Sequence, residues 1–303
     1  MELRTLEYFL AVARDENISA AAAALHVSQP TLSRQLMDLE DELGKKLLIR
    51  GGRKITLTQE GMLLRRRAAE ILDIVDKTET DIRSSESEIA GDIYIGAGEA
   101  RCFKFIAKSI QSIQQDYPDI HVHISSGDYL DVMEQLEHGV LDYGLIFHDF
   151  DRSRYDAIDL PPVDRWGVLM RRDSPLSQKE YVTPQDLWDK PLLVSRQVMN
   201  DPEKIRAKWF GQSDKKSNIA GTFSLIYNAS IMVEEGIGYA LTFDHLVNTN
   251  GNDNLCFRPL EKAEPIVGHV IYNKFQIFSR ASQVFLDQLR LTQTPVPPVS
   301  GAF

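Results

Sequence analysis

Residues 18–43 constrain this chain most. Ile18 and Ser19 lead into five alanines at 20–24, then Leu25-His26-Val27, then Ser28-Gln29-Pro30-Thr31-Leu32-Ser33-Arg34-Gln35-Leu36 and on to Leu43. The spacing predicts two helices with a break of about three residues between them. Ser19 is the expected N-cap of the first, and the alanine run is the best available helix former. Ser28 is the expected N-cap of the second, Pro30 falls in its first turn, and Gly44 ends it. Alanines let the helices cross closely, and the second opens on short polar side chains. That is the build of a helix-turn-helix, whose second helix enters the DNA major groove and meets base edges with its N-terminal residues. An ordinary helical hairpin with a solvated face is the bland alternative.

The flanks favour DNA. Leu47-Leu48-Ile49-Arg50 and Lys54-Ile55-Thr56-Leu57 surround Gly51-Gly52, which predicts a β-hairpin with Arg50 and Arg53 at its tip. A hairpin after a recognition helix is a wing, and a basic wing tip suits phosphates or the minor groove. At this point the chain resembles the LysR-type transcriptional regulators. The resemblance is carried by Leu6 and Phe9, by Ser19, Ala23 and Leu25, and by Val27-Ser28-Gln29-Pro30-Thr31-Leu32-Ser33-Arg34-Gln35. It continues through Leu39-Glu40, Leu43-Gly44, Leu48, Arg50, Leu57-Thr58 and Gly61. Glu60 departs from the alanine common there in the family, but it opens the next helix, where a carboxylate suits the dipole.

Charge is unevenly spread. The chain holds 34 Lys and Arg against 44 Asp and Glu; residues 1–67 hold 11 against 9, leaving 23 against 35 for the rest. Local clusters decide binding to phosphates. Here they are Arg34, Lys45, Lys46, Arg50, Arg53 and Lys54, while the acidic remainder should discourage stray DNA contact. No apolar run approaches a membrane span, and Met1-Glu2-Leu3-Arg4 leads straight into an amphipathic helix without a signal-peptide pattern, so a cytoplasmic protein is expected. Cys102 and Cys256 are far apart, form no CxxC and read as two small core residues or two unpaired thiols.

A first helix is predicted over 3–14. From Thr58 to about Ser84 one long helix carries a narrow seam of Leu64, Ala68, Ile71, Val75 and Ile82, the pattern of a helix that pairs with another. Arg65-Arg66-Arg67 near its start reads as a solvated face, with contact to backbone phosphates as the alternative. Beyond the polar hinge at 84–88, strands are expected near 92–96, 120–124, 141–147, 166–170, 192–194, 239–241, 257–260 and 266–272. Helices are expected near 103–115, 130–137, 184–188, 203–210, 225–235 and 281–291. Alternating strands and helices predict parallel, doubly wound sheets. The tail at 295–298 should be loose.

Tyr117-Pro118-Asp119-Ile120, Gly127, Leu136, Gly139 and Leu141-Asp142-Tyr143-Gly144-Leu145-Ile146 again look like a LysR-type effector domain. The resemblance implies an α+β winged helix-turn-helix domain over 1–58, a linker and dimerisation helix over 59–87, and a two-lobed α/β effector domain over 88–303, like periplasmic binding proteins. Lobe 1 would span about 91–161 and 267–291, and lobe 2 about 162–266, with crossovers near 160–163 and 261–268. It implies a sequence-specific regulator that binds double-stranded DNA, a small-molecule effector, further copies of itself as homodimer or homotetramer, and RNA polymerase. Ser28, Gln29, Pro30, Thr31, Ser33 and Arg34 would face the bases, and Arg50 and Arg53 the backbone or minor groove. The alternative is an architectural DNA-binding protein with a ligand-free C-terminal domain.

Little else suggests chemistry. Gly96-Ala97-Gly98-Glu99-Ala100-Arg101 follows a strand but lacks the third glycine and the later acid of a dinucleotide turn. His121 and His123 share a strand face without a third metal ligand. Ser125-Ser126-Gly127 is no nucleophile elbow, so neither an enzyme nor a cofactor is expected. Ligands of open α/β sheets sit beyond the strand ends. The expected effector residues are Gly98, Glu99, Ala100, Arg101, Ser125, Ser126, Phe147, His148, Ser195, Arg196 and Thr242. Helix starts at 98–103 and 223–225 would favour an anion. Glu99 would repel a carboxylate, whereas Arg101, Arg196 and His148 would attract one.

Overall fold

The computed structural model describes residues 1–51, 54–83, 89–196, 218–249, 251 and 254–293. The chain divides into a unit over Met1–Arg83 and a unit over Ser84–Phe303.

The first unit begins with α1 (Leu3–Asp15), α2 (Ile18–Ala24) and α3 (Gln29–Leu43). The cap of α2 is Asn17, not the expected Ser19: its side chain accepts the N–H groups of Ser19 and Ala20 at 2.8 and 3.1 Å. Asn17 stands one residue before the helix, where a short side chain reaches the orphan amides, while Ser19 already lies inside it. His26 sits in the turn in the left-handed region. Ser28 caps α3, Pro30 occupies its first turn, and Gly44 closes it at φ +63°. Phe9, Val12, Ala21, Leu32, Leu36 and Leu39 form one buried cluster with Leu47, Leu48 and Ile55.

The wing pairs β1 (Leu48–Arg50) with β2 (Ile55–Leu57) in antiparallel register, Leu48 opposite Leu57. Helix α4 (Gln59–Arg83) follows. Thr58 Oγ1 accepts the Gly61 N–H at 2.9 Å and donates to the Lys46 carbonyl at 2.7 Å. A Cβ on Gly61 would stand 2.1 Å from the Leu47 carbonyl oxygen, so only glycine fits against the strand entry. Along α4, Ala68 is fully buried, whereas Leu63 and Ile82 are exposed.

The second unit holds two five-stranded sheets. The first contains β3 (Gly91–Ala97), β4 (Ile120–Ser126), β5 (Tyr143–Ile146), β6 (Tyr155–Asp159) and β12 (His269–Asn273), in the order β4-β3-β5-β12-β6. Helices α5 (Phe103–Asp116), α6 (Tyr129–Glu137) and α9 (Arg280–Gln293) accompany it. The second contains β7 (Trp166–Arg171), β8 (Leu192–Ser195), β9 (Ile219–Phe223), β10 (Tyr239–Phe243) and β11 (Leu255–Pro259), in the order β11-β7-β10-β8-β9, with α7 (Pro184–Leu187) and α8 (Ile226–Glu234).

The sheets are mixed, not parallel throughout as the alternation predicted. β12 runs antiparallel to β5 and β6, and β7 runs antiparallel to β10 and β11. These are the strands that enter a sheet from the other one: β7 follows the crossing after Leu160, and β12 the return after Leu260. Without a helix on the same sheet before them, nothing forces the parallel hand. At the crossing, Asp164 pairs with Ile266 in an isolated antiparallel bridge. Strands β6 and β9 escaped the sequence reading because their alternation is weak. The expected helix at 203–210 and the tail at 295–298 lie outside the described residues.

Candidate nucleic-acid interface and effector cleft

The N-terminal turn of α3 presents Gln29, Pro30, Thr31 and Arg34 to solvent, with Ser33 half-buried beside them. Leu32, Leu36 and Leu39 bury the opposite face. The Ser28 and Thr31 hydroxyls are 2.8 Å apart, and Ser28 Oγ accepts the Thr31 N–H at 3.3 Å, so both also fix the helix start. Of the basic cluster, Lys54 pairs with Glu16 at 2.5 Å and Lys46 with Glu40 at 3.0 Å. Arg34 and Arg50 make no ion pair with a described residue, so their charge faces outward; Arg53 lies outside the described residues. Arg67, half-buried, pairs with Glu70 at 2.7 Å.

Glu40 orients the wing. It is 3 % exposed, and its Oε1 accepts the N–H groups of Leu47 at 2.8 Å and Leu48 at 3.1 Å. Burial alone would push this carboxyl up, but the two N–H donors and Lys46 outweigh it and hold it below the ordinary carboxylate range.

In the second unit the expected effector residues lie at the strand ends. Gly98–Arg101 follow β3, Ser125 and Ser126 end β4, Phe147 and His148 follow β5, Ser195 ends β8, and Thr242 is buried in β10. Phe147 from the first sheet meets Phe243 from the second, ring centroids 5.1 Å apart. His148 packs against Tyr129, ring centroids 4.9 Å apart and planes tilted by 39°.

Two expectations about charge change. Arg196 does not offer an unengaged guanidinium: it pairs with Asp128 at 2.8 Å and Asp131 at 3.1 Å across the sheets. Glu99, expected to repel a carboxylate, lies at the helix start expected near 223–225, its Oε2 accepting the Ile226 N–H at 2.7 Å. The start of α5 is likewise taken, since Asp164 accepts the N–H groups of Arg101 at 2.5 Å and Cys102 at 2.9 Å. Both helix starts expected to favour an external anion therefore meet carboxylates of the chain. Asp128 and Asp131 cap α6 as a capping box; the sequence reading missed them, and two acids three residues apart before a helix are the signal that could have found them. Asp164 carried no sequence signal.

At the glycine-rich turn, a Cβ on Gly96 would stand 2.4 Å from Leu141 Cδ1, so the strand end packs closely there. His123 bonds Asp92 at 2.8 Å and stacks on Tyr94. Cys102 and Cys256 are unpaired and buried, and burial pushes both thiols above their ordinary value, with Asp164 adding to the rise at Cys102.

Residues 3–62 match the bacterial regulatory helix-turn-helix of the lysR family, and residues 86–293 match the LysR substrate binding domain. This chain belongs to the LysR family. It is a LysR-type transcriptional regulator, with a DNA-binding helix-turn-helix and an effector-binding domain. The Hca operon transcriptional activator HcaR of Escherichia coli K12 is 29 % identical over 271 residues, 88 % of this chain and 90 % of HcaR. The DNA-binding transcriptional dual regulator OxyR of the same strain is 33 % identical over 196 residues, 64 % of this chain and 63 % of OxyR. The fold of this LysR-type chain is that of full-length CbnR complexed with its target DNA, at TM-score 0.72 and 20 % identity over 96 % of this chain and all of CbnR. No described helix is long and apolar enough to cross a membrane.

Proposed function

We propose that this regulator reads a twofold-related DNA site through Ser28, Gln29, Pro30, Thr31, Ser33 and Arg34, with Arg50 and Arg53 on the backbone or in the minor groove. One helix-turn-helix reads one half-site, and two are set about 34 Å apart on DNA, so the working unit is a homodimer or homotetramer joined through α4. The observation that carries this reading is the outward Arg34 on the polar first turns of α3, whose opposite face is packed shut. The division into residues 1–58 for DNA, 59–87 for dimerisation and 88–303 for the effector follows from it, as does work in the cytoplasm beside the chromosome and RNA polymerase. Fluorescence anisotropy on a selected site tests it. Arg34→Ala should cost roughly 1–3 kcal/mol on that site and little on random DNA. Equal loss on both refutes base reading.

The effector sits between the two sheets, among the strand ends that carry Gly98, Ala100, Arg101, Ser125, Ser126, Phe147, His148, Ser195 and Thr242, with Glu99 and Arg196 bridging them. Its binding shifts the population between assemblies whose DNA-binding heads differ in spacing. Peroxide-inducible activators are among the relatives, but thiol chemistry with peroxide needs an accessible thiolate. Cys102 and Cys256 are 0 % and 3 % exposed, which favours a reversibly bound metabolite as the signal.

A further inference from the structure

Helix α8 begins without a cap of its own. Leu225 stands at its N-cap and makes no side-chain bond, and no acidic residue lies in its first turn. Such a start leaves amide donors and the positive end of the helix dipole exposed to whatever faces them. What faces them is Glu99, which leaves the loop between β3 and α5 on the other sheet and accepts the Ile226 N–H at 2.7 Å. The guanidinium of Arg196 is engaged by Asp128 and Asp131, and the start of α5 is filled by Asp164.

We propose that Glu99 is a built-in substitute for an effector carboxylate. It fills the anion subsite at the start of α8, so it sets the effector class: a cationic or neutral molecule, not one that places a carboxylate there. This rests on the reading of the space between the sheets as the effector cleft. An incoming carboxylate would have to displace Glu99 from Ile226 and then share the cleft with its charge, two anions competing for one set of amides. An amine or a hydroxyl meets no such competitor and finds an acceptor in the Glu99 carboxylate.

Chemical rescue tests this on the full-length protein. Thermal unfolding and amide exchange are followed for the wild type, Glu99→Gln and Glu99→Ala against acetate, with chloride holding ionic strength constant and acetamide as the neutral control. Glu99→Ala should bind acetate with a dissociation constant lower than the wild type by about tenfold or more, with new protection at residues 226–229. The wild type and Glu99→Gln, whose side-chain oxygen still accepts the Ile226 N–H, should not respond. Glu99→Ser repeats the test should Glu99→Ala not fold. Equal acetate binding by the wild type and Glu99→Ala, with protection at 226–229 in both, overturns the role of Glu99 and leaves the cleft reading standing. No acetate response in either overturns the assignment of an anion subsite. Protection only outside residues 98–101 and 226–229 overturns both the subsite and the cleft reading.

Discussion

Glu40 on the recognition helix accepts the Leu47 N–H at 2.8 Å, and the same oxygen takes the Leu48 N–H at 3.1 Å. One buried carboxylate thus fixes the first strand of the wing to the helix that reads DNA. Glu40→Ala leaves two buried donors without an acceptor, which should cost about 2–3 kcal/mol in urea unfolding of the N-terminal unit. The pH dependence has a definite sign. The folded carboxyl lies below its ordinary 4.5, so its stabilisation is complete above that value and is lost as pH falls through the folded one. Glu40→Gln should flatten this acid limb; an unchanged limb would remove Glu40 as its source.

Asp164 is 0 % exposed and takes the N–H groups of Arg101 and Cys102 where the chain crosses between sheets. It satisfies the start of α5 and pins the crossing at once. Asp164→Ala should destabilise the effector domain by roughly 2–4 kcal/mol, read by near-ultraviolet circular dichroism during urea unfolding. A loss under 0.5 kcal/mol, the range of ordinary surface changes, would mean that water replaces the carboxylate readily and that the crossing is held by other contacts.

Both thiols are buried and pushed up by desolvation, so neither carries much thiolate at neutral pH. Native protein should react with an aromatic disulfide reagent only as fast as it unfolds, while denatured protein should release two equivalents at once. DNA affinity should not change after exposure to dilute hydrogen peroxide. Rapid labelling of either cysteine in the native state, or a peroxide-dependent change in affinity, would restore redox sensing as a candidate signal.

Much of this was legible in order along the chain because local rules fix it. The Ser28 cap, Pro30 in the first turn and Gly44 in the left-handed region each depend on a few neighbouring residues, and all three sit where the spacing put them. Gly61 was visible only as a motif; the Leu47 carbonyl that excludes any side chain there comes from across the wing. Local rules also failed where two residues competed, as when Asn17 and not Ser19 capped α2. The strand direction of β7 and β12 was not legible, since it depends on which sheet the preceding strand belongs to. The cleft charges were least legible of all. Glu99 meets Ile226 across 127 positions and Asp164 meets Cys102 across 62, so no window of sequence could show that each helix start already held a carboxylate.

The central claim is that the first turns of α3 read base sequence in a paired arrangement. Selection of bound DNA from a random pool by the full-length protein, followed by sequencing, tests it most directly. An enriched motif is expected, with two inverted half-sites whose centres are separated by a whole number of helical turns, about 10 base pairs or a multiple. Arg34→Ala, selected from the same pool, should lose preference at symmetric positions in both halves while still binding DNA. A pool that stays random with the wild type, or a motif that Arg34→Ala reproduces unchanged, would show that the first turns of α3 do not read base sequence.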